Sequence, residues 1–85
     1  MRVTIPSPLL SYTGRREVEA EGNTVEEVLR DLDRRFPGLR FRMVDEQDHL
    51  RPHMRVFIDS AESRDLGARL PADATLHIVQ ALSGG

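Results

Sequence analysis

The residues of this sequence that most plainly offer chemistry are its last five, Ala81-Leu82-Ser83-Gly84-Gly85. Two glycines at a carboxyl end have no side chain and give a slim, extended segment. A carboxylate on such a segment can enter a narrow active site that any Cβ would obstruct. Chain ends are often loose, so the ending carries weight only if the remaining residues leave it unexplained.

They do leave it unexplained. His49 and His53 lie four apart, but Pro52 stands between them and prevents a shared helical face of the kind paired ligands use. His77 falls in an alternating run far from both. Asp31 and Asp33 diverge on a helix and make no acid–base pair. Asp45, Glu46 and Asp48 lack the glycine and final glutamate of a calcium loop. Ser7 and Ser11 sit in no nucleophile elbow, and no glycine-rich phosphate loop is present. With no cysteine in 85 residues, disulfides, thiolate nucleophiles and Cys-ligated metals are excluded. Nothing in the chain reads as a catalyst or a resident cofactor site. If Gly85 reacts, other enzymes must act on it. A carboxylate is a poor acyl donor, so an ATP-dependent partner has to adenylate it before a sulfur nucleophile displaces AMP.

Composition narrows the partners. Fourteen acids face twelve bases, giving a net charge of -2 with the signs interspersed. No basic stripe suggests nucleic acid, and no apolar run approaches a membrane span. The amino end carries no basic segment leading into an apolar one, so a cytoplasmic protein is expected. Every base is arginine, so the chain offers no lysine for a Schiff base or for attachment of another protein. Eighty-five residues predict one domain, 1–85, with one small core and a flexible tail at 81–85.

The elements that must position the tail follow from periodicity. Residues 1–5 alternate, with Val3 and Ile5 on one face, and residues 15–21 alternate again through Val18 and Ala20. Together they predict two antiparallel neighbours, with Leu9, Leu10 and Tyr12 covering an end of the core between them. From Thr24 the period changes: Val25, Val28, Leu29, Leu32 and Phe36 recur at helical spacing. Thr24 and Glu27 form a capping box, in which the Glu27 carboxylate reaches back to the Thr24 amide. Glu26 supports Arg30, Glu27 opposes Asp31, and Pro37-Gly38 ends the helix. Leu39, Phe41, Met43 and Val44 read as a short turn under the sheet. Met54, Val56 and Ile58 face one way on a third strand, residues 60–63 turn, and Asp65-Leu66 forms a short edge strand. Leu76 and Ile78 face inward on a last strand that runs into the tail. The expected fold class is α+β, a mixed sheet of four or five strands with one main helix on one face. The core would hold Val25, Val28, Leu29, Leu32, Val56, Ile58, Leu76 and Ile78. The other sheet face carries Arg55, Phe57, His77 and Val79.

This order of elements, the helix opening Gly22-Asn23-Thr24-Val25-Glu26-Glu27-Val28-Leu29 and the ending from Leu76 to Gly85 resemble the ubiquitin-like sulfur carriers, the ThiS, MoaD and CysO type. The resemblance covers essentially the whole chain. It implies a β-grasp fold, no enzyme activity in the chain itself, and Gly85 as the residue that is adenylated and converted to a thiocarboxylate. Gly84, Ser83 and Leu82 would thread the partner's active site. Phe57, Val79 and Leu82 would dock the partner, an E1-like adenylyltransferase and sulfurtransferase that uses ATP. The sulfur-accepting enzyme would be a cysteine synthase or the large subunit of molybdopterin synthase, and less readily a thiamine-pathway enzyme. The commoner family tail has proline where Gln80 stands and valine where Leu82 stands, which predicts strand pairing that runs slightly further here. Two alternatives stay open: a ubiquitin-like modifier that forms amide bonds through Gly85, and a β-grasp interaction module with an inert tail.

Overall fold

The computed structural model describes residues 1–81. Five strands form one mixed sheet in the order β2-β1-β5-β3-β4. They are β1 (Arg2–Thr4), β2 (Glu17–Glu19), β3 (Met54–Ile58), β4 (Ala61–Ser63) and β5 (Thr75–Gln80). Only the central pair is parallel, with Val3 beside Leu76; β1–β2, β3–β4 and β3–β5 are antiparallel. The helices are α1 (Leu10–Thr13), α2 (Val25–Arg35) and α3 (Leu39–Met43).

Alternation in the strands and helical spacing in α2 bring the apolar side chains to one layer. Val3, Val18, Val56, Leu76 and Ile78 from the sheet pack with Val25, Val28, Leu29 and Leu32 from α2. Leu9, Leu39, Met43, Val44 and Leu50 close its ends. Ile58 is only partly buried, because it sits at the last step of β3 next to the hairpin. Leu29 is fully buried, so Leu29→Ala should cost about 2–5 kcal/mol in chemical unfolding, from lost transfer energy and the cavity left behind. A loss below about 1 kcal/mol would mean the core collapses around the site.

The start of α2 is held from two directions. Thr24 caps the Glu27 amide at 3.2 Å, but the Glu27 carboxylate accepts from the Asn23 amide at 2.8 Å rather than from Thr24. The freed amides of Val25 and Glu26 donate to the carbonyls of Ala68 and Leu66, at 3.1 and 2.8 Å. Residues 65–70 are therefore the cover of a helix end that would otherwise leave donors unpaired. The expected repulsion between Glu27 and Asp31 is offset by the partners that each carboxylate holds. Asp31 accepts from the Glu21 amide at 3.0 Å and pairs with Arg34 and Arg35. That amide bond, with the two guanidiniums, holds the Asp31 carboxyl below the usual carboxylate range.

Two expectations fail near the sheet edge. The turn is Asp59-Ser60 rather than residues 60–63, and the edge strand is β4 (Ala61–Ser63) rather than Asp65-Leu66. Asp59 takes a positive φ of 54°, and its carboxylate accepts from the Thr75 amide at 2.9 Å. A two-residue hairpin with a positive φ at its first turn position then pairs Ile58 with Ala61. Ala-Glu-Ser has little strand propensity of its own, so pairing with β3 decides the matter.

Candidate functional site

The chemistry predicted from the sequence lies at the carboxyl end, and the structure shows what holds the root of that tail. Gln80 lies opposite Met54, and the Ala81 amide donates to the His53 carbonyl at 2.8 Å. The ladder thus runs one step beyond β5, but the exchange of proline for Gln80 does not account for it. The reason differs from the expected one. A bond from Ala81 to His53 makes Met54–Gln80 a non-hydrogen-bonded pair, so the Gln80 N–H does not serve β3. Proline at that position would leave this side of the ladder intact. Leu82, Ser83, Gly84 and Gly85 lie outside the described residues.

The acceptor carbonyl is itself well fixed. The Arg64 guanidinium donates to the carbonyls of Leu50 and Met54 at 2.8 Å each and to that of Arg51 at 3.0 Å. It gathers the segment on which His53 stands and joins it to the end of β4. Arg51 adds an amide bond to the Met43 carbonyl at 2.8 Å. Sequence reasoning gave Arg64 no role. An arginine that satisfies three backbone carbonyls leaves no local pattern, since its partners are ten to fourteen residues away.

The sheet face opposite α2 carries the predicted docking residues. Phe57 lies opposite His77, and Val79 opposite Arg55, so the two apolar side chains are diagonal neighbours rather than directly paired. Val79 is 39% exposed and Phe57 is half-buried. Polar groups frame them: Thr4 Oγ1 and His77 Nδ1 hydrogen-bond at 2.9 Å, and Arg55 pairs with Glu62 at 3.7 Å. The face is therefore a small apolar step on a polar sheet, two residues upstream of Ala81.

Leu39, Met43 and Val44 are buried as expected, but Phe41 is not. Residues 39 and 43 share one side of α3, and position 41 falls on the opposite side of a helix. The four-residue spacing of Leu39 and Met43 was the available signal. No group of three or more metal-ligating side chains occurs among the described residues, and no helix there is long and apolar enough to cross a membrane.

The comparisons with known proteins agree with this geometry. The sequence model of the ThiS family matches residues 3–85. The chain belongs to the ThiS family. A chain in the crystal structure of the Amycolatopsis orientalis BexX/CysO complex is 34% identical, with a TM-score of 0.90 over 99% of this chain and 98% of that one. CysO of Mycobacterium tuberculosis, described as an antigen, gives 24% identity and a TM-score of 0.88, covering 95% and 98%. Small archaeal modifier protein 1 of Haloferax volcanii gives 26% and 0.79, covering 100% and 98%. No curated protein sequence matches. ThiS-family proteins of this size are sulfur carriers of the ubiquitin-like β-grasp class and are not themselves enzymes. The five-stranded mixed sheet with its single long helix is that fold.

Proposed function

We propose that the chain carries sulfur as a thiocarboxylate on Gly85. An E1-like enzyme would use ATP to adenylate the carboxylate, releasing pyrophosphate. A sulfur nucleophile would then displace AMP and leave sulfur on the acyl carbon. The observation that carries this reading is the family match reaching residue 85 on a tail that ends in Gly84-Gly85. The strand geometry supports it, since β5 runs to Gln80 at the sheet centre and the Ala81 amide is tied to His53. The acceptor is best sought first in cysteine synthesis, because the 34% identical chain comes from a structure that contains CysO. Molybdopterin synthesis comes second and thiamine synthesis third.

Incubation with the adenylating enzyme, ATP and a sulfur donor should raise the intact mass by about 16 Da, the exchange of one carboxylate oxygen for sulfur. Methionine oxidation adds a similar mass, so the gain must map to a carboxyl-terminal fragment beyond Met54, the last methionine in the chain. An unmodified Gly85 with every such enzyme of the organism would reject the carrier chemistry.

A second reading rests on the likeness to a small archaeal modifier protein at 26% identity. It predicts a carboxyl-terminal peptide of this chain amide-linked to lysines of other proteins. Both products can arise from one activated tail.

Phe57, Val79 and Leu82 belong to the same proposal as the surface that meets the adenylating enzyme. Phe57→Ala should weaken that complex about thirtyfold, the cost of removing a well-packed anchor of about 2 kcal/mol. The side chain lies on the face away from α2, so the melting temperature should change little. An unchanged dissociation constant by calorimetry would remove Phe57 from the interface.

A further inference from the structure

Phe41 is 55% exposed, the larger exposure of the two large hydrophobic side chains on the described surface. Its ring lies beneath the Arg51 guanidinium, 4.6 Å from the centroid, and Arg51 Nε donates to the Phe41 carbonyl at 2.8 Å. Arg42, the next residue of α3, is exposed and stands over the Tyr12 ring at 5.9 Å. Neither Arg42 nor Arg51 forms a salt bridge among the described residues. The nearby Arg40, by contrast, is bonded to both Glu26 and Asp48, at 2.6 and 3.1 Å. The acid close to Arg51 is Asp45, and it already accepts from the amides of Gln47 and His49, at 2.9 and 3.0 Å. Arg51 over Phe41 and Arg42 over Tyr12 thus bring two guanidiniums without a salt bridge to one end of α3, with Asp45 offsetting part of the Arg51 charge and no acid paired with Arg42.

Phe41, Arg42, Arg51 and His53 line one open cleft of about 320 Å³. His53 is also the residue whose carbonyl holds Ala81, so the cleft opens at the root of the tail. Four further residues reach Gly85, and fully extended they span at most about 14 Å. An enzyme that takes Gly85 into its active site must bring its surface down to that root, and the groups around the root meet it. Arginine and aromatic side chains are the types most enriched at such contacts. A guanidinium fork without an internal partner pairs best with a carboxylate.

We propose that this cleft docks an acidic segment of the enzyme that activates the carboxyl end, with aspartate or glutamate side chains pairing to Arg42 and Arg51 around Phe41. The inference rests on the carrier reading above and adds the chemistry of the partner. It is distinct from the Phe57–Val79 step, which lies on the sheet face rather than on α3.

The test uses the full chain and its E1-like adenylyltransferase with ATP, measuring adenylation rate against carrier concentration. For the wild type, KM should rise at least about fivefold between 50 and 300 mM salt, as expected of charge pairing at an interface. Arg42→Glu should raise KM about tenfold or more at low salt, leave kcat within about twofold, and flatten the salt dependence. Arg42→Lys should recover most of the loss. Phe41→Ser, which removes a ring that lies outside the buried core, should raise KM by a similar factor. Arg51 also holds the Phe41 carbonyl, so Arg51→Glu is read only alongside a melting curve. Wild-type KM for both Arg42→Glu and Phe41→Ser, with adenylation intact, would overturn the cleft while leaving the carrier function standing. Failure of the wild type itself to be adenylated would remove the carrier reading and the docking proposal together. A self-association that Arg42→Glu abolishes, with unchanged KM, would assign the cleft to a second copy of the chain and overturn the proposal.

Discussion

Deleting Gly85 is expected to abolish ATP-dependent sulfur uptake completely and to leave the fold untouched. The loss should be total because the reacting carboxylate moves back by one residue, about 3.3–3.6 Å of extended chain. In-line attack of the carboxylate on the ATP α-phosphorus tolerates far less displacement than that. Stability should be unchanged because the core draws on residues from Val3 to Ile78, and among the described residues the last ladder bond is that of Ala81. The measurement is paired: mass of the carboxyl-terminal fragment after reaction, and melting temperature of the same preparation. Residual thiocarboxylate in the deletion variant would show that the enzyme reads the tail loosely and that Gly84 can substitute. A fall in melting temperature of more than about 4 °C, the equivalent of about 1 kcal/mol in a domain this size, would show that the tail contributes to the fold.

The second large effect is predicted at Gly22, far from the tail. Gly22 turns the chain from the β2 edge into the first turn of α2, with φ at 154°. A Cβ built there would lie 2.7 Å from the Val28 backbone nitrogen and 2.8 and 2.9 Å from Glu27 atoms. None of these is the movable end of a side chain. The neighbouring amides of Glu21 and Asn23 are also committed, to Asp31 and Glu27, so the segment cannot swing aside without breaking bonds that cap α2. Gly22→Ala should therefore destabilise the domain by about 2–4 kcal/mol, combining overpacking with a backbone setting that L-residues avoid. At this size that lowers the melting temperature by at least about 8 °C. A shift under about 3 °C would show that the start of α2 yields more readily than its hydrogen bonds suggest. Because the whole helix face depends on that turn, partner binding should fall only in proportion to the unfolded fraction.

The sequence by itself determined the parts whose causes are local. Val25, Val28, Leu29 and Leu32 could bury one face only as a helix, and Thr24 with Pro37-Gly38 marked its ends to within a residue. Strand alternation at Val3, Val56, Leu76 and Ile78 told which faces meet that helix, because side chains on a strand have a period of two. With no cysteine, nucleophile elbow, phosphate loop or ligand set in the sequence, Gly84-Gly85 are the residues left to offer chemistry. What only the tertiary structure decided is how distant segments complete one another. The carbonyls of Leu66 and Ala68 cap α2, Arg64 gathers the backbone from Leu50 to Met54, and His53 secures Ala81. Such bonds join a side chain or amide to whichever carbonyl the fold brings near, and a carbonyl is the same in every residue. β4 is strand only because Asp59 turns the chain back onto β3. Phe41 reads as one more core residue in the run from Leu39 to Val44, until α3 turns it outward beside Arg51. In each case the residue type was compatible with more than one environment, and the choice lay with partners that the chain brings together only on folding.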